Sequence, residues 1–236
     1  MGNVGFRIHS EFERPLRNLV DAFKGIPVAN IADNMNRTSC IGRKIRPYNT
    51  TPLIGSAFTV KTRPGDNLLL HKAIDLASPG DVIVVDGQGD TTNALIGELM
   101  ITWAQKRGIA GFIIDGAIRD AGVIKQMSIP VYAAGVTPAG PYKDGPGEIN
   151  IPISCDGVTI NPGDILVGDD DGVVVINPKD ASEILEKARK TVAKEAEIIA
   201  AIKNGIWDRT WVDAALLEKG CEFIDAIKKE GNTGDG

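Results

Sequence analysis

Arg119 and Asp120 stand side by side at the end of "GFIIDGAIRD" (Gly111 to Asp120), an apolar run that reads as a buried strand leaving the core. A guanidinium presents a fixed fork of donors that suits a carboxylate. An adjacent aspartate can ligate a divalent cation. Together they could orient an α-keto acid and hold a metal beside its carbonyl, although the commoner fate of such a pair is a solvated salt bridge. Glu98 precedes Arg119 with twenty residues between them, the span that one helix plus one strand needs to return to the same sheet edge. It could reach a metal's water shell, or be a solvated helix glutamate.

A third feature is "GQGDTTNALIGELM" (Gly87 to Met100). A Gly-rich turn ahead of a helix lets backbone N–H groups approach an anion, and the helix start adds its positive end. A plain strand-to-helix turn explains the same residues equally well. As a dinucleotide fingerprint the stretch is weak, since its third glycine is out of place. A methyltransferase or dehydrogenase reading therefore rests only on Asp86-Gly87-Gln88-Gly89.

The remaining inventory narrows the metal. Cys40, Cys155 and Cys221 are scattered and show no CxxC spacing, which fits reduced thiols in a cytoplasmic protein. With His9 and His71 as the two histidines, a His/Cys zinc site is not supported. Any metal would be held by oxygen, which points to Mg²⁺ or Mn²⁺.

Net charge is -5 and no Lys/Arg block exceeds two residues, so no nucleic-acid footprint is expected. No apolar run approaches a membrane span, and none is expected to enter one. At 236 residues and 43% hydrophobic, the chain can bury a sizeable core.

The elements that must position these groups follow from periodicity. Helix is expected from about Glu11 to Asn36, with "GIPVANIADNMN" opening a second helix, and strand in "TTPLIGSAFTVKT". "NLLLHKAIDLA" reads as a helix stopped by Pro79-Gly80, and "DVIVVDG" as a buried strand. "LIGELMITWAQKRG" reads as a helix closed by Gly108, "IAGFIIDG" as the next buried strand, and "GVIKQMSIPVYAAG" as a short helix and strand. The alternation implies right-handed crossovers and parallel pairing.

Past Pro138, "PAGPYKDGPGEINIPIS" reads as a functional or interface loop. "DGVTINPGDILVGDDDGVVVINP" reads as β-hairpins, with Asp169 to Gly172 a turn rather than a metal cluster. Helices are expected from Pro178 to about Lys203 and from about Thr210 to Lys229. "PGDVIVVD" is echoed by "PGDILVGD", a turn-plus-strand device used twice. His71 reads as packing or capping rather than catalysis. Lys143, Asp144 and Glu148 are candidates to touch a substrate, with a solvated loop the plainer reading.

"PGDVIVVDG", "GELM" with "DGAIRD" twenty residues on, "IPVYAAG" and "NPGDILVGDDDGVVVI" together resemble the class II 4-hydroxy-4-methyl-2-oxoglutarate / 4-carboxy-4-hydroxy-2-oxoadipate aldolases. The same superfamily includes the regulator of ribonuclease E activity A. The resemblance runs from about Asn30 to Glu197. It implies an α/β chain with a three-layer β/β/α swivelling-domain-like fold and N-terminal and C-terminal helices. The chain is expected to form one domain over 1–236, with a core of about 30–178 and a helical extension of about 179–230. The resemblance also implies trimers or hexamers with sites between subunits.

Carried over by position, Gly97, Glu98, Leu99 and Met100 match the loop whose amides hold the pyruvyl carboxylate of a 2-oxo acid substrate. Arg119 matches the carbonyl-polarising arginine and Asp120 the metal ligand. Glu98 stands where these aldolases carry Asp, and so keeps the charge on a longer arm. An acidic residue of a neighbouring subunit's C-terminal helix matches Glu195, with Glu197 second.

The implied reaction is metal-dependent retro-aldol cleavage of a 4-hydroxy-2-oxo acid to pyruvate, with oxaloacetate decarboxylation through the same enolate. The alternative is a non-catalytic regulator that binds a ribonuclease or helicase. The roughly sixty residues after Pro178 favour the enzyme.

Overall fold

The computed structural model describes residues 3–224. The chain divides into two compact units, residues 1–192 and 193–236. The first is a three-layer α/β unit built on a nine-stranded sheet, and the second contains the helix α7 (Thr210–Glu218). The helix α6 (Ala181–Lys203) begins in the first unit and ends in the second.

The spine of the sheet is four strands in parallel: β3 (Leu53–Thr62), β4 (Asp81–Ile96), β5 (Gly111–Ile118) and β6 (Val131–Val136). Crossovers carry α3 (Leu68–Leu76), α4 (Glu98–Lys106) and α5 (Ala121–Ile124). These strands are buried on both faces, which is why they read as unbroken apolar runs rather than alternating ones. Alternate residues serve different layers. Phe58, Ile83, Phe112 and Ile114 pack under α3 and α4 with Leu70, Ile74 and Ile101. Val82, Val84 and Ile113 face the opposite way, against Ile153, Cys155 and Ile160 of the hairpin β8–β9 (Ile153–Cys155, Val158–Ile160).

A third cluster seats Val20, Phe23, Ile31 and Ala188 against β10 (Ile165–Asp169) and β11 (Gly172–Ile176). Its helical members come from α1 (Arg17–Asp21), α2 (Val28–Asp33) and the start of α6. The hairpin β10–β11 turns at Asp170-Asp171, as its Asp-rich sequence predicts. Asp169 accepts the Val28 N–H at 2.9 Å and so ties that turn to α2.

The repeated Pro-Gly-Asp motif is one device used on both sides of β3. Asp81 accepts the Ser78 N–H through its carboxylate at 2.8 Å, and Asp164 accepts that of Asn161 at 2.8 Å. Gly80 and Gly163 take φ of 91° and 89° in the two turns, a conformation open to glycine at little cost. β4 then pairs parallel to β3 along Ser56–Lys61, and β10 antiparallel to it along Leu53–Ser56, with Ser56 opposite both Asp81 and Ile165.

The two helices expected within about Glu11–Asn36 are present but short, separated by Gly25 at φ 79° and Pro27. Two expectations change. The Gly-rich stretch after Asp86 is not a turn. β4 runs on to Ile96 through register shifts at Asp86/Asp90 and Asp90/Ala94, with Gln88 and Gly89 at φ 60° and 69° absorbing the bulge. The helix that follows therefore starts at Glu98. Finally, the loop expected after Pro138 contains β7 (Gly147–Ile149), which lies between β3 and β1 (Phe6–Ile8).

Among the described residues no helix is long and apolar enough to cross a membrane. The cysteines among them are free thiols, with Cys155 buried. The part of the expected final helix beyond residue 224 lies outside the described residues.

Candidate active site

The carboxyl ends of β4 and β5 stop together. Ile96 and Ile118 are paired, and the Arg119 N–H donates to the Ile96 carbonyl at 3.0 Å. From this edge β5 delivers Arg119 and Asp120, while β4 delivers Gly97 and the start of α4. Arg119, Asp120 and the Gly97–Met100 start of α4 meet here, while Gly87–Asn93 do not line this edge's cavity.

Asp120 takes φ 60°, ψ 32°, a left-handed turn that Asp tolerates better than most residues. That turn folds its carboxylate back onto the Glu98 N–H at 3.0 Å, with Arg119 Nε 3.7 Å away. Gly97 closes the triangle. A Cβ there would lie 2.5 Å from Asp120 Oδ2 and 2.9 Å from Arg119 Cγ. Its φ of −150° is ordinary extended backbone, so the site needs glycine for space and not for conformation. The Leu99 and Met100 N–H groups, in the first turn of α4, have no acceptor among the described residues. Such orphan donors at a helix start make an anion site.

These amides and Arg119 open on a cavity of about 290 Å³. Its other lining residues include Asn67, His71, Gly140 and Lys143. The Arg119 fork reaches the far wall, with Nη1 3.4 Å from where a Gly140 Cβ would stand. His71 is thus not a packing residue. It sits on the outward face of α3, whose inward face buries Leu69, Leu70, Ala73 and Ile74. Burial lowers the His71 pKa, the nearby Lys143 ammonium lowers it further, and Asp75 only partly opposes them.

Two residues that the sequence reading passed over hold the cavity together. Asn67 donates to the Leu95 carbonyl at 2.9 Å and to Met100 Sδ at 3.4 Å, which fixes the wall from which the amides project. Asp66 is fully buried. It caps α3 through the Leu68 N–H at 3.0 Å and pins the opposite loop through the Asp144 and Gly145 N–H groups at 2.7 and 2.9 Å. The sequence signal was an Asp-Asn pair directly ahead of an apolar helical run, a helix-start pattern.

Burial alone would raise the Asp66 pKa. The three backbone donors and Arg63 outweigh it, so the carboxyl titrates below the usual range. A depressed folded pKa adds stability that is present above the unfolded value and lost as pH falls through the folded one. Asp66→Ala orphans buried donors and should cost about 2–3 kcal/mol, the range for hydrogen bonds to a charged group. Urea unfolding should show that loss at pH 7, and the difference from wild type should shrink below pH 4.

Asp144, by contrast, exposes its side chain beside Arg63, and Glu148 lies on β7, away from this cavity. Glu98 is exposed at the rim, and Glu195 and Glu197 are exposed on α6. For a divalent ion the donors within one chain are carboxylate oxygens, chemistry that suits Mg²⁺ or Mn²⁺. Asp120 Oδ2 is taken by the Glu98 amide, leaving Oδ1 for an ion. No cluster of three His, Cys, Asp or Glu able to hold a metal occurs among the described residues.

Comparison with known proteins gives the family. Residues 28–175 match the family model RraA-like, described as Aldolase/RraA, and the chain belongs to that family. A Halalkalibacterium halodurans protein, provisionally named 4-hydroxy-4-methyl-2-oxoglutarate aldolase, is 41% identical over 203 residues, covering 86% of this chain and 95% of that one. An uncharacterised Pseudomonas syringae pv. tomato protein superimposes with TM-score 0.74 at 27% identity, covering 86% of this chain and 100% of that one. Streptomyces coelicolor RraAS2, described as an unusual member of the RNase ES inhibitor RraA protein family, gives 0.72 at 26% identity, covering 79% and 98%.

Proposed function

We propose that the protein is a divalent-metal-dependent lyase that cleaves a 4-hydroxy-2-oxo acid, of the 4-hydroxy-4-methyl-2-oxoglutarate type, to pyruvate. Oxaloacetate decarboxylation would pass through the same enolate. The observation that carries this reading is the convergence of Arg119 and the free Leu99 and Met100 amides on one cavity, with Asp120 pinned at its rim. The aldolase name of the Halalkalibacterium halodurans relative supports it.

In this reading the free Leu99 and Met100 amides, in the Gly97–Met100 segment, hold the substrate carboxylate, and Arg119 donates to the 2-oxo oxygen. Negative charge builds on that oxygen as the C–C bond breaks, so a preorganised donor there lowers the barrier. Asp120 would hold Mg²⁺ or Mn²⁺, with Glu98 acting through water and Glu195 supplied by a neighbouring subunit. When bound, the ion supplies Lewis-acid stabilisation of the same charge. The Lys143 ammonium suits a substrate whose distal half is also anionic.

An assembly of trimers or hexamers in the cytoplasm, without nucleic acid or membrane, completes the proposal. It draws support from Leu99 and Trp103 on α4, which are 81% and 52% exposed beside the site. The second reading, a regulator that binds a ribonuclease or helicase, is favoured by the likeness to RraAS2.

A coupled pyruvate-release assay on oxaloacetate and 4-hydroxy-2-oxo acids separates the two. Turnover with Mg²⁺ that EDTA removes and Mg²⁺ restores is expected. No pyruvate from any of these substrates would favour the regulator.

A further inference from the structure

We infer that His71 is the general base of the retro-aldol step, taking the proton from the substrate's C4 hydroxyl. The inference rests on the lyase reading above and assigns a role which that reading leaves open. Cleaving a 4-hydroxy-2-oxo acid needs a lone pair near C4, because the hydroxyl must become a carbonyl as the C3–C4 bond breaks.

Among the described residues lining the cavity, three side chains are ionisable: His71, Arg119 and Lys143. A guanidinium has no lone pair to offer, and an ammonium has none either. The carboxylates of Asp120 and Glu98 stand at the rim, where the reading above assigns them to the ion, and the imidazole is the remaining acceptor within the cavity. Its surroundings keep it in the accepting form: burial and the facing Lys143 ammonium favour neutral imidazole, against Asp75 one turn along α3. Arg119 lines the same cavity.

Position agrees: His71 lines the cavity one helical turn on from Asn67, the residue that fixes the Leu95 wall. A substrate with its carboxylate on the α4 amides and its C2 oxygen at Arg119 has its distal half left to face the lining of α3 and the 140–143 loop.

The step balances. His71 takes the O–H proton and the O–H pair becomes the new C4 carbonyl π bond. The C3–C4 pair moves into the C2–C3 enolate, whose charge falls on the oxygen facing Arg119. The imidazolium then returns its proton to C3, giving pyruvate, a second carbonyl compound and neutral His71.

Decarboxylation of oxaloacetate has no such proton to remove, since the leaving carboxylate is already ionised. The two reactions therefore part company in one variant. His71→Asn is expected to lower retro-aldol kcat roughly 10²–10⁴-fold, the range for general acid–base catalysis, while oxaloacetate decarboxylation stays within about threefold. Imidazole added to His71→Gly should restore part of the retro-aldol rate. In wild type the retro-aldol rate should fall as pH drops through the His71 pKa, below the usual imidazole value, and that limb should vanish in His71→Asn. Equal loss of both reactions, or loss of neither, would overturn the assignment. Arg119→Ala in the same assays checks the lyase reading separately, because it should lower both reactions alike.

Discussion

Arg119→Ala is expected to lose roughly 10²–10³-fold in kcat for pyruvate release, the usual cost of deleting one preorganised donor to a developing oxyanion. The loss should appear with oxaloacetate and with 4-hydroxy-2-oxo acids alike, since both reactions place charge on the same oxygen. Folding should be little changed. The side chain is 45% exposed and its carboxylate neighbour lies 3.7 Å away, an ion pair worth little. Arg119→Lys should recover only a minor part, because a point charge does not reproduce the fork that spans from Asp120 to Gly140. Steady-state kinetics on both substrates, beside thermal melts, check this. Unchanged kcat/KM in Arg119→Ala would remove Arg119 from the mechanism.

Gly97→Ala is expected to be nearly as damaging with a smaller chemical change. The added methyl would stand 2.5 Å from Asp120 Oδ2 and 2.9 Å from Arg119 Cγ, well inside contact distance. Both groups must swing away, and the Glu98 N–H bond to Asp120 is lost with them. A displacement of about 1 Å at reacting groups costs on the order of 10²-fold in rate, so kcat/KM should fall by about that factor. Stability should stay within about 1 kcal/mol, because the backbone is ordinary extended chain and the groups moved are half-exposed. Kinetics together with urea unfolding test both halves of the statement. An active Gly97→Ala enzyme would mean that the packed arrangement of Arg119 and Asp120 is not the working one.

The parallel spine and the site edge were legible in the sequence because each signal was local. Ile83 to Val85 and Phe112 to Ile114 are apolar on both faces and so announce buried strands. The twenty-residue gap between Glu98 and Arg119 is the length of one return crossing.

What was missed depends on partners distant in sequence. β7 is held between Phe6–Ile8 and Val60–Thr62, neither of which its own residues reveal. The bulged end of β4 reads as a turn because Gly87 and Gly89 are turn residues. Pairing to β5 overrides that preference, and Asp115 and Leu95 pack where a Cβ at residue 87 would stand.

Asp66 and Asn67 stand at the start of α3, a place their residue types suit. Their second roles, pinning the 142–145 loop and the Leu95 wall, arise only when the chain ends of three elements meet. His71 was discounted for lying on an apolar helix. The 3.6-residue period that buries Leu70 and Ile74 is what turns His71 outward into the cavity.

The placement of a 2-oxo acid at the β4/β5 edge is tested most directly by determining the structure with Mg²⁺ and pyruvate bound. The carboxylate should lie on the Leu99 and Met100 amides, the keto oxygen within hydrogen-bond reach of Arg119, and the ion on Asp120. Pyruvate elsewhere, or an ion that leaves Asp120 untouched, would contradict the account at its root.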